Sequence, residues 1–232
     1  MCGRYSLAGP DPSVLRERFA LGDRIEVRRR FNVAPGDDVV TVTTDRAGAP
    51  RGDVLRWGLV PHWADSPKDG FKMINARAET VAERPAYRDA FATRRCLVLA
   101  DGFYEWERRP DGPKQAWWVT RADGEPFAFA GLWAIWHGAG PDVEPVRSCT
   151  IVTTGANEAL AAIHDRMPVM LPAGAEAAWL DPATPSPALR ELLVPLAVAD
   201  TAKRAVGPAV NDARYDGPDC LAPAPEAPAT LF

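Results

Sequence analysis

This sequence lacks the excess of basic residues typical of proteins that bind nucleic acid through their overall charge. The 232 residues include 27 Lys and Arg against 31 Asp and Glu, a formal net charge of −4, and the pI is about 5.5. General nucleic-acid binders have a pI above about 9. Any nucleic-acid contact must therefore come from a local groove lined with arginines, and an ordinary cytosolic protein is the simplest interpretation.

Signals for membranes and export are also missing. No run of about 18 apolar residues is present, so the sequence predicts no transmembrane helix and no membrane partner. The first 20 residues show no basic segment followed by an apolar one, and Cys2 stands where N-myristoylation requires glycine. We expect the protein to reside in a reducing cytoplasm, where thiols stay free.

Cysteine is scarce and irregularly spaced. The four cysteines are Cys2, Cys96, Cys149 and Cys220. They form no Cys-x-x-Cys pair and no Cys/His cluster, which excludes a recognisable disulfide framework or zinc site. Cys96 and Cys149 lie in apolar runs and are predicted to be buried in strands. Cys220 has no predicted role, and no metal or organic cofactor is suggested.

The composition present indicates a globular fold with many turns. Hydrophobic residues make up 47% of the chain, enough for one sizeable core, and 23 Pro and 18 Gly predict short elements. Strands and helices follow one another without a regular βαβ repeat. This favours an α+β fold with a mostly antiparallel, barrel-like β core and short peripheral helices. We predict one domain over residues 1–220 and a disordered Pro/Ala-rich tail over residues 221–232.

Hydrophobic patterning predicts the individual elements. Predicted strands cover residues 39–44, 54–59, 96–100, 115–120, 126–132 and 149–154. Predicted helices cover residues 13–21, 86–93, 157–163, 173–180 and 188–193. The strands on either side of Ala122-Asp123-Gly124 are predicted to pair as a hairpin.

Cys2 is the leading candidate nucleophile, because removal of Met1 places a free amine and a free thiol on adjacent carbons. Such an amine has a pKa of about 7.7–8.0 and such a thiol about 8.5, so part of the amine is neutral near pH 7. A 1,2-aminothiol condenses with an aldehyde to an imine, and the thiol then closes a thiazolidine ring. The alternative is that Cys2 follows the start codon by accident.

Two internal segments carry polar residues suited to this chemistry. Asn75 and Arg77 flank a small residue, so on an extended segment their side chains point the same way. Asn offers both a donor and an acceptor, and Arg offers a fork that suits phosphate. Glu105 stands between Tyr104 and Trp106, where partial desolvation would raise its pKa and suit it to proton transfer. The alternatives are a polar loop and a solvated strand edge.

Two further groups of residues have both a functional and a structural interpretation. His164 and Arg166 precede a proline-fixed turn, and histidine is the side chain best suited to proton exchange near neutral pH. A purely structural histidine is the alternative. Pro35 and Trp63 lie in turn-rich segments, and apolar wedges of this kind can fill gaps between unstacked bases. Packing at the rim of the core is the alternative for both.

The combination of these motifs is more specific than any one of them. In chain order they are Met1-Cys2-Gly3-Arg4-Tyr5, Arg30-Phe31-Asn32-Val33-Ala34-Pro35-Gly36, Trp57-Gly58-Leu59, Asn75-Ala76-Arg77-Ala78-Glu79, Gly102-Phe103-Tyr104-Glu105-Trp106, His164-Asp165-Arg166-Met167-Pro168 and Ala205-Val206-Gly207. Together they resemble the SRAP family, the SOS-response-associated peptidase proteins that shield abasic sites in DNA. The resemblance spans about residues 2–220.

The resemblance implies a covalent crosslink to an abasic site in single-stranded DNA, whose ring-opened sugar carries an aldehyde. The family's nucleophile, positioning asparagine, acid–base carboxylate and sugar-opening histidine match Cys2, Asn75, Glu105 and His164. The positions that hold the DNA backbone match Arg4, Arg77 and Arg166, and the segments that wedge near the lesion contain Pro35 and Trp63. We expect a monomer in a bacterial-type cytoplasm, associated with the nucleoid when bound to DNA.

Two other functions fit the same residues. In a thiol peptidase of the N-terminal-nucleophile type, Cys2 would attack a carbonyl carbon, its own amine or His164 would be the base, and Asn75 would stabilise the oxyanion. Removal of Met1 could then be the sole peptide cleavage. In a non-catalytic single-strand binding module, the Trp and Arg residues would bind DNA and the other polar residues would have no chemical role.

Overall fold

The structure is a computed structural model that describes residues 2–9, 11–110, 112–138, 140 and 143–225. The strands are β1 (Tyr5–Leu7), β2 (Arg30–Val33), β3 (Asp38–Thr44), β4 (Pro50–Trp57), β5 (Asn75–Arg77), β6 (Arg95–Ala100), β7 (Gly102–Glu107), β8 (Gln115–Arg121), β9 (Phe127–Trp136), β10 (Val146–Gly155), β11 (Arg166–Pro168), β12 (Met170–Leu171) and β13 (Thr201–Val206). The α-helices are α1 (Pro12–Arg18), α2 (Arg88–Thr93), α3 (Ala173–Leu180) and α4 (Ser186–Glu191). Short 3-10 helices cover Pro67–Lys72, Val198–Asp200, Pro208–Asn211 and Pro218–Leu221.

Five strands close into a barrel. Going round it, β10 pairs with β4, β4 with β3, β3 with β6, β6 with β9, and β9 with β10 again. The β4–β10 pair is parallel and the other four pairs are antiparallel. The predicted α+β fold with a mostly antiparallel, barrel-like core and short peripheral helices is therefore confirmed.

Strand β10 has two functions along its length. Its first half, up to Ile151, pairs with β9 and β4 and so closes the barrel. Its second half extends beyond the barrel and lies between β5, which pairs at Ile151–Thr153, and β11, which pairs at Thr153–Gly155. Two short polar segments, 75–77 and 166–168, are thereby held on either side of one strand.

A second sheet packs against the barrel, in the order β13-β8-β7-β1-β2. Its inner face contributes Tyr5 and Phe103, whose rings lie 5.7 and 6.3 Å from the ring of Phe129 on barrel strand β9. The shared core also contains Cys2, Cys96 and Cys149, all fully buried. The predicted burial of Cys96 and Cys149 in strands is confirmed, and all four cysteines are free thiols.

The predicted hairpin between residues 115–120 and 126–132 is wrong. Both strands form, but β8 pairs with β7 and β13, whereas β9 pairs with β6, β10 and β12. The first six residues of β9 are all buried, while β8 is only partly covered. A strand buried on both faces belongs inside the barrel, so the chain leaves the second sheet at the turn before Phe127.

The helix predicted over residues 157–163 is also wrong, because this stretch forms a series of turns. The helix predicted over residues 173–180 forms with the predicted ends. The other three form with shifted ends, for example residues 12–18 in place of 13–21, with Asp11 as the cap that accepts from the backbone N–H of Ser13. Of the helices in the described part of the chain, none combines the length and apolar character needed to cross a bilayer.

The predicted tail begins with residues that contact the second sheet. The carbonyl oxygen of Ala222 accepts from the N–H of Gly207 at 2.9 Å, and the N–H of Ala224 donates to Ala205 at 3.2 Å. Residues 226–232 of that tail lie outside the described residues. The single-domain boundary at residue 220 stays a prediction.

Candidate active site

Cys2 lies at the start of the second sheet, beside the end of β7. The pairing of β1 with β7 sets Tyr5 opposite Phe103, and it continues outward through a bond from the N–H of Tyr104 to the carbonyl oxygen of Arg4 at 3.0 Å. Glu105 on the same strand is close enough to Cys2 for its negative charge to raise the pKa of the thiol. The pairing of β1 with β7 therefore brings the start of the chain near Glu105.

Asn75 holds Cys2 from the opposite side. Its Nδ2 donates to the carbonyl oxygen of Cys2 at 2.8 Å. The backbone of Asn75 is fixed by pairing with Ile151 on β10 and by the hydroxyl of Tyr87, which donates to its carbonyl oxygen at 3.2 Å. The Oδ1 of Asn75 is buried and has no hydrogen-bond partner among the described residues. The amide donates one hydrogen bond to Cys2 and has an acceptor oxygen left over, so it can orient an incoming N–H or O–H group.

Burial changes the acid–base properties of the two groups at this end of the sheet. Glu105 is only 5% exposed, and desolvation raises its pKa above the ordinary value, against the opposing effect of nearby positive charge that includes His164. Desolvation, with the negative charge of Glu105 as the next cause, raises the pKa of the Cys2 thiol far above its ordinary value. At neutral pH the sulfur therefore keeps its proton, and the carboxyl is suited to move protons.

Trp117 forms one wall beside Glu105. It stands directly opposite Glu105 in the β7–β8 pairing, where cross-strand side chains on one face lie about 5 Å apart. Its Nε1 donates to Glu107 at 2.9 Å, and the ammonium of Lys203 lies 5.2 Å from its ring centre. Lys203 also donates to the carbonyl oxygen of Ala159, in the turns that lead to His164. The indole is thus held in place where it contributes to the desolvation of Glu105.

His164 comes from the segment between β10 and β11. Its side chain is 31% exposed, and its Nδ1 lies 2.8 Å from Oδ1 of Asp165. The backbone N–H of Arg166 donates to the same Nδ1 at 3.0 Å. The loop is closed by a bond from the N–H of Ala156 to the carbonyl oxygen of Asp165 at 2.9 Å. These contacts fix the imidazole beside the site, close enough for its charge to affect Glu105.

The structure places the three predicted DNA-binding arginines in different surroundings. Arg166 donates to both carboxylate oxygens of Glu79, at 2.5 and 3.0 Å, and to the carbonyl oxygen of Thr153 at 2.6 Å. Arg77 is exposed, and within the described part of the chain its guanidinium makes no hydrogen bond or ion pair. Arg166, and more weakly Arg77, hold the pKa of Glu79 below its ordinary value.

Arg4 is directed into the protein. Its Nη1 donates to Oδ1 of Asn32 and to the carbonyl oxygen of Val210, both at 2.9 Å, and its guanidinium lies 5.9 Å from the ring centre of Trp106. Burial lowers its pKa. These contacts tie the start of β1 to β2 and to the 3-10 helix at Pro208–Asn211. Arg77 is therefore the arginine of the three with the most open guanidinium.

The two predicted wedge residues lie on separate loops. Pro35 is half-buried in the turn between β2 and β3, and Trp63 is 53% exposed in the segment after β4. Trp63 lines a cavity of about 290 Å³ together with His62, His137 and Arg94. None of the four chemical residues lines that cavity. The structure thus brings together Cys2, Asn75, Glu105 and His164, while Trp63 stands apart from them in its own groove.

Sequence reasoning missed four residues that shape the site. They are Glu79, Tyr87, Trp117 and Asp165. Glu79 and Asp165 belong to the quoted motifs, and an acidic residue next to a histidine is a readable signal. Tyr87 and Trp117 act through strand pairing and tertiary contact, which no local pattern reveals. Within the described residues, no three His, Cys, Asp or Glu side chains come together in a way that could hold a metal ion.

Comparison with known proteins identifies the family of this chain. The family model described as "SOS response associated peptidase (SRAP)" matches residues 1–213. Abasic site processing protein YoqW of Bacillus subtilis is 38% identical over 225 residues, which cover 95% of this chain and 99% of that protein. YedK of Escherichia coli, also called an abasic site processing protein, is 32% identical over 78% of this chain and 79% of its own.

The solved structures of similar proteins show the same fold. A protein of Bacteroides thetaiotaomicron superposes with a TM-score of 0.83, covering 96% of this chain and 100% of its own, at 22% sequence identity. A protein of Bordetella bronchiseptica gives a TM-score of 0.74 at 28% identity, covering 89% of this chain and 100% of its own. From the matching family model and the full-length relatives, this chain belongs to the SRAP family.

Proposed function

We propose that this protein processes abasic sites by binding single-stranded DNA and forming a thiazolidine between Cys2 and the ring-opened sugar. The observation that carries the proposal is the hydrogen bond from Asn75 to the carbonyl oxygen of Cys2, made beside the buried carboxyl of Glu105. It orients the residue that becomes the chain's amino end when Met1 is removed. The names of YoqW and YedK as abasic site processing proteins support the choice of substrate.

The reaction begins at the amine. Loss of Met1 leaves an amine on Cys2, whose lone pair attacks the aldehyde carbon C1′ of the opened sugar. The carbonyl oxygen leaves as water, and a C=N bond forms. The sulfur then adds to the same carbon, and the proton of the thiol ends on the nitrogen. One water is released in total, and the product is a five-membered ring.

The raised pKa of the Cys2 thiol determines what the surrounding groups must do. Because the sulfur keeps its proton at neutral pH, ring closure requires a group that carries this proton from sulfur to nitrogen. Glu105 is close enough to Cys2 for its charge to act on the thiol, and its raised pKa brings it closer to the neutral range where carboxyl groups exchange protons readily. The same carboxyl can assist reopening, because each of these steps is reversible.

The remaining residues bind DNA and open the sugar. In this proposal His164 acts on the closed sugar, the exposed Arg77 holds a phosphate, and Pro35 keeps the lesion unstacked. Arg166 can hold a second phosphate only when its fork leaves Glu79. Arg4 is bound internally and Trp63 lines a separate cavity, so neither takes the DNA-binding role expected from the sequence. The exposed guanidinium of Arg77 lies two residues from Asn75 and so can reach a phosphate next to the lesion. The protein acts as a monomer in the cytoplasm, on nucleoid DNA.

Intact mass spectrometry of the protein mixed with an abasic oligonucleotide tests the proposal. We expect a protein without Met1 and an adduct equal to protein plus DNA minus one water, which survives heating without a reducing agent. Cys2→Ala should give at most an imine adduct, retained only after borohydride reduction. A heat-stable adduct of Cys2→Ala, or retention of Met1 in the wild-type adduct, contradicts the thiazolidine.

The peptidase remains a second candidate, because the description of the family model contains that activity. The contact of Asn75 favours the first proposal: its Nδ2 binds the carbonyl of Cys2, whereas cleavage after Met1 needs a donor at the carbonyl of Met1. A chain that begins Met-Gln-Cys and trims itself in a manner dependent on His164 or Glu105 would establish a proteolytic capacity. Equal retention of intact and abasic strands under denaturing conditions would instead indicate a binding module.

A further inference from the structure

Two neighbours compete for the same nitrogen of His164. The backbone N–H of Arg166 donates to Nδ1 at 3.0 Å, and Oδ1 of Asp165 lies 2.8 Å from that nitrogen. A ring nitrogen that accepts a hydrogen bond carries no proton, whereas one that faces a carboxylate oxygen at this distance must carry one. The two contacts therefore stabilise two different protonation forms of the ring.

The form of the ring decides whether the other nitrogen, Nε2, can donate or accept a proton. When Nδ1 accepts from Arg166, the single proton of the neutral ring is on Nε2, which can only donate. When Nδ1 donates to Asp165, Nε2 of the neutral ring carries a lone pair and can take up a proton. The resulting imidazolium keeps its bond to Asp165. Asp165 therefore favours the form in which His164 is a base at Nε2.

We propose that Asp165 is the positioning residue that makes His164 the general base of sugar opening. The inference rests on the proposed function and deepens it, because the residues so far left open whether His164 acts as acid or base. In this proposal the carboxylate of Asp165 acts through its contact with Nδ1 of His164 and takes no part in the bonds that form or break. It acts by selecting the ring form that His164 presents to the closed sugar.

The proton inventory of this step balances. The O–H bond of the C1′ hydroxyl breaks, its proton goes to Nε2, and its electron pair forms the C1′=O bond of the aldehyde. The C1′–O4′ bond breaks, and its electron pair stays on O4′, which takes a proton from the carboxyl form of Glu105. His164 ends as an imidazolium bound to Asp165, and Glu105 ends as a carboxylate.

The solvent exposure of Asp165 and His164 sets how strongly Asp165 can shift the ring form of His164. The Asp165 side chain is 88% exposed, while that of His164 is 31% exposed. Solvent weakens such a contact, so it shifts the ratio of the two neutral ring forms by about fivefold or less. That shift is large enough to measure and small enough that removal of the carboxylate should not unfold the protein.

The test uses the full chain labelled with ¹⁵N, observed by long-range ¹H–¹⁵N correlation near pH 8.5, where the ring nitrogens report which one carries the proton. Asp165→Asn should move His164 towards the form with the proton on Nε2. His62 and His137 serve as internal references. Glu158→Gln removes another exposed carboxylate from the same segment and should change nothing.

Single-turnover crosslinking to an abasic oligonucleotide supplies the second measurement. Asp165→Asn should slow crosslinking by up to about fivefold, Asp165→Glu should restore part of the loss, and Glu158→Gln should match the wild type. An unchanged ring form in Asp165→Asn, or a changed form with an unchanged rate, overturns the inference. If the wild type forms no crosslink at all, the proposed function fails instead, and the ring measurement still reports the contact.

Discussion

At the scale of single residues, the site depends on groups whose ordinary chemistry is altered by burial. Asn75 offers one donor to Cys2 and keeps one buried acceptor without a described partner. A buried polar atom without a partner costs free energy in the resting protein. The unpaired Oδ1 of Asn75 is explained if it accepts a hydrogen bond from the Cys2 amine or from the sugar when the DNA binds. Binding then removes the free-energy cost of the unpaired atom.

Asn75→Ala should therefore slow crosslinking without unfolding the protein. Loss of one hydrogen bond that orients the nucleophile lowers the rate on the order of tenfold. Asn75→Asp, which keeps an acceptor oxygen but replaces the N–H donor with a second oxygen, should be equally slow. Single-turnover rates on denaturing gels, with melting temperatures as a control, make the measurement. A wild-type rate in Asn75→Ala would show that the bond to Cys2 is irrelevant to the chemistry.

Glu105 predicts a specific dependence of stability on pH. Its pKa is raised in the folded protein, chiefly by burial, so the folded state binds that proton more tightly than the unfolded chain. The stabilisation is fully present below the ordinary pKa of 4.5 and is lost as the pH rises through the folded value. Replacing Glu105 with the uncharged glutamine removes this loss of stability at high pH.

Glu105→Gln should accordingly melt at a higher temperature than the wild type at pH 8, with a smaller difference at pH 4. The same variant should crosslink more slowly, because it cannot move protons. Thermal denaturation at the two pH values, with Glu107→Gln as the control on the same strand, tests this. A lower melting temperature for Glu105→Gln at pH 8 would mean that the carboxylate is stabilised in the fold.

At the scale of elements, the second half of β10 organises the site. Thr153 pairs with Arg77 on one side and with Pro168 on the other, and the guanidinium of Arg166 joins its carbonyl oxygen to Glu79. This ion pair links β11 to the turn after β5. It therefore holds β11, which His164 precedes by two residues, against the end of β5, which contains Asn75.

The ion pair also occupies the arginine fork that a phosphate would use. Glu79→Gln should release the fork, tighten binding of intact single-stranded DNA by about threefold at low salt, and steepen the salt dependence of binding. Glu83→Gln, whose partner Arg190 lies 3.9 Å away, is a matched control on the same turn. Fluorescence anisotropy over a range of salt concentrations measures both effects. Unchanged binding would indicate that Arg166 has a purely structural function.

At the scale of the whole molecule, DNA binding must act against a net charge of −4. Arg77 is the exposed member of the three candidate arginines, whereas Arg4 is committed to Asn32 and Val210. Removing an exposed phosphate contact reduces the slope of log K against log salt by about 0.7 for a single strand. Removing a buried contact mainly lowers stability.

The two arginines should thus give opposite results. Arg77→Ala should bind DNA more weakly with a shallower salt slope and an unchanged melting temperature, while Arg4→Ala should lower the melting temperature. Anisotropy titrations and calorimetry on the same two variants separate the effects. Equal melting temperatures for Arg4→Ala and the wild type would show that its internal bonds contribute nothing.

The sequence was sufficient for the fold class and most elements, because strands with β-branched runs carry local signals. The resemblance to a family named the four chemical residues, which the structure brings together, and their roles in the reaction stay predictions. It did not reveal that residues 115–121 and 127–136 belong to different sheets, because partner choice is decided by burial on both faces. It also did not reveal that Trp117 faces Glu105 or that Glu79 holds Arg166. Those relations join residues far apart in the chain, and no local pattern records them.

The order of synthesis has a consequence for the aminothiol. Cys2 is made before every other residue of the site, yet its partners Asn75, Glu105 and His164 follow 73, 103 and 162 positions later. Strand β1 cannot take its place between β2 and β7 until β7, which carries Glu105, has been translated, and His164 follows later still. On the proposed mechanism, the amino end therefore lacks its proton carriers during translation, and we expect crosslinking activity only after Glu105 and His164 have joined the folded site.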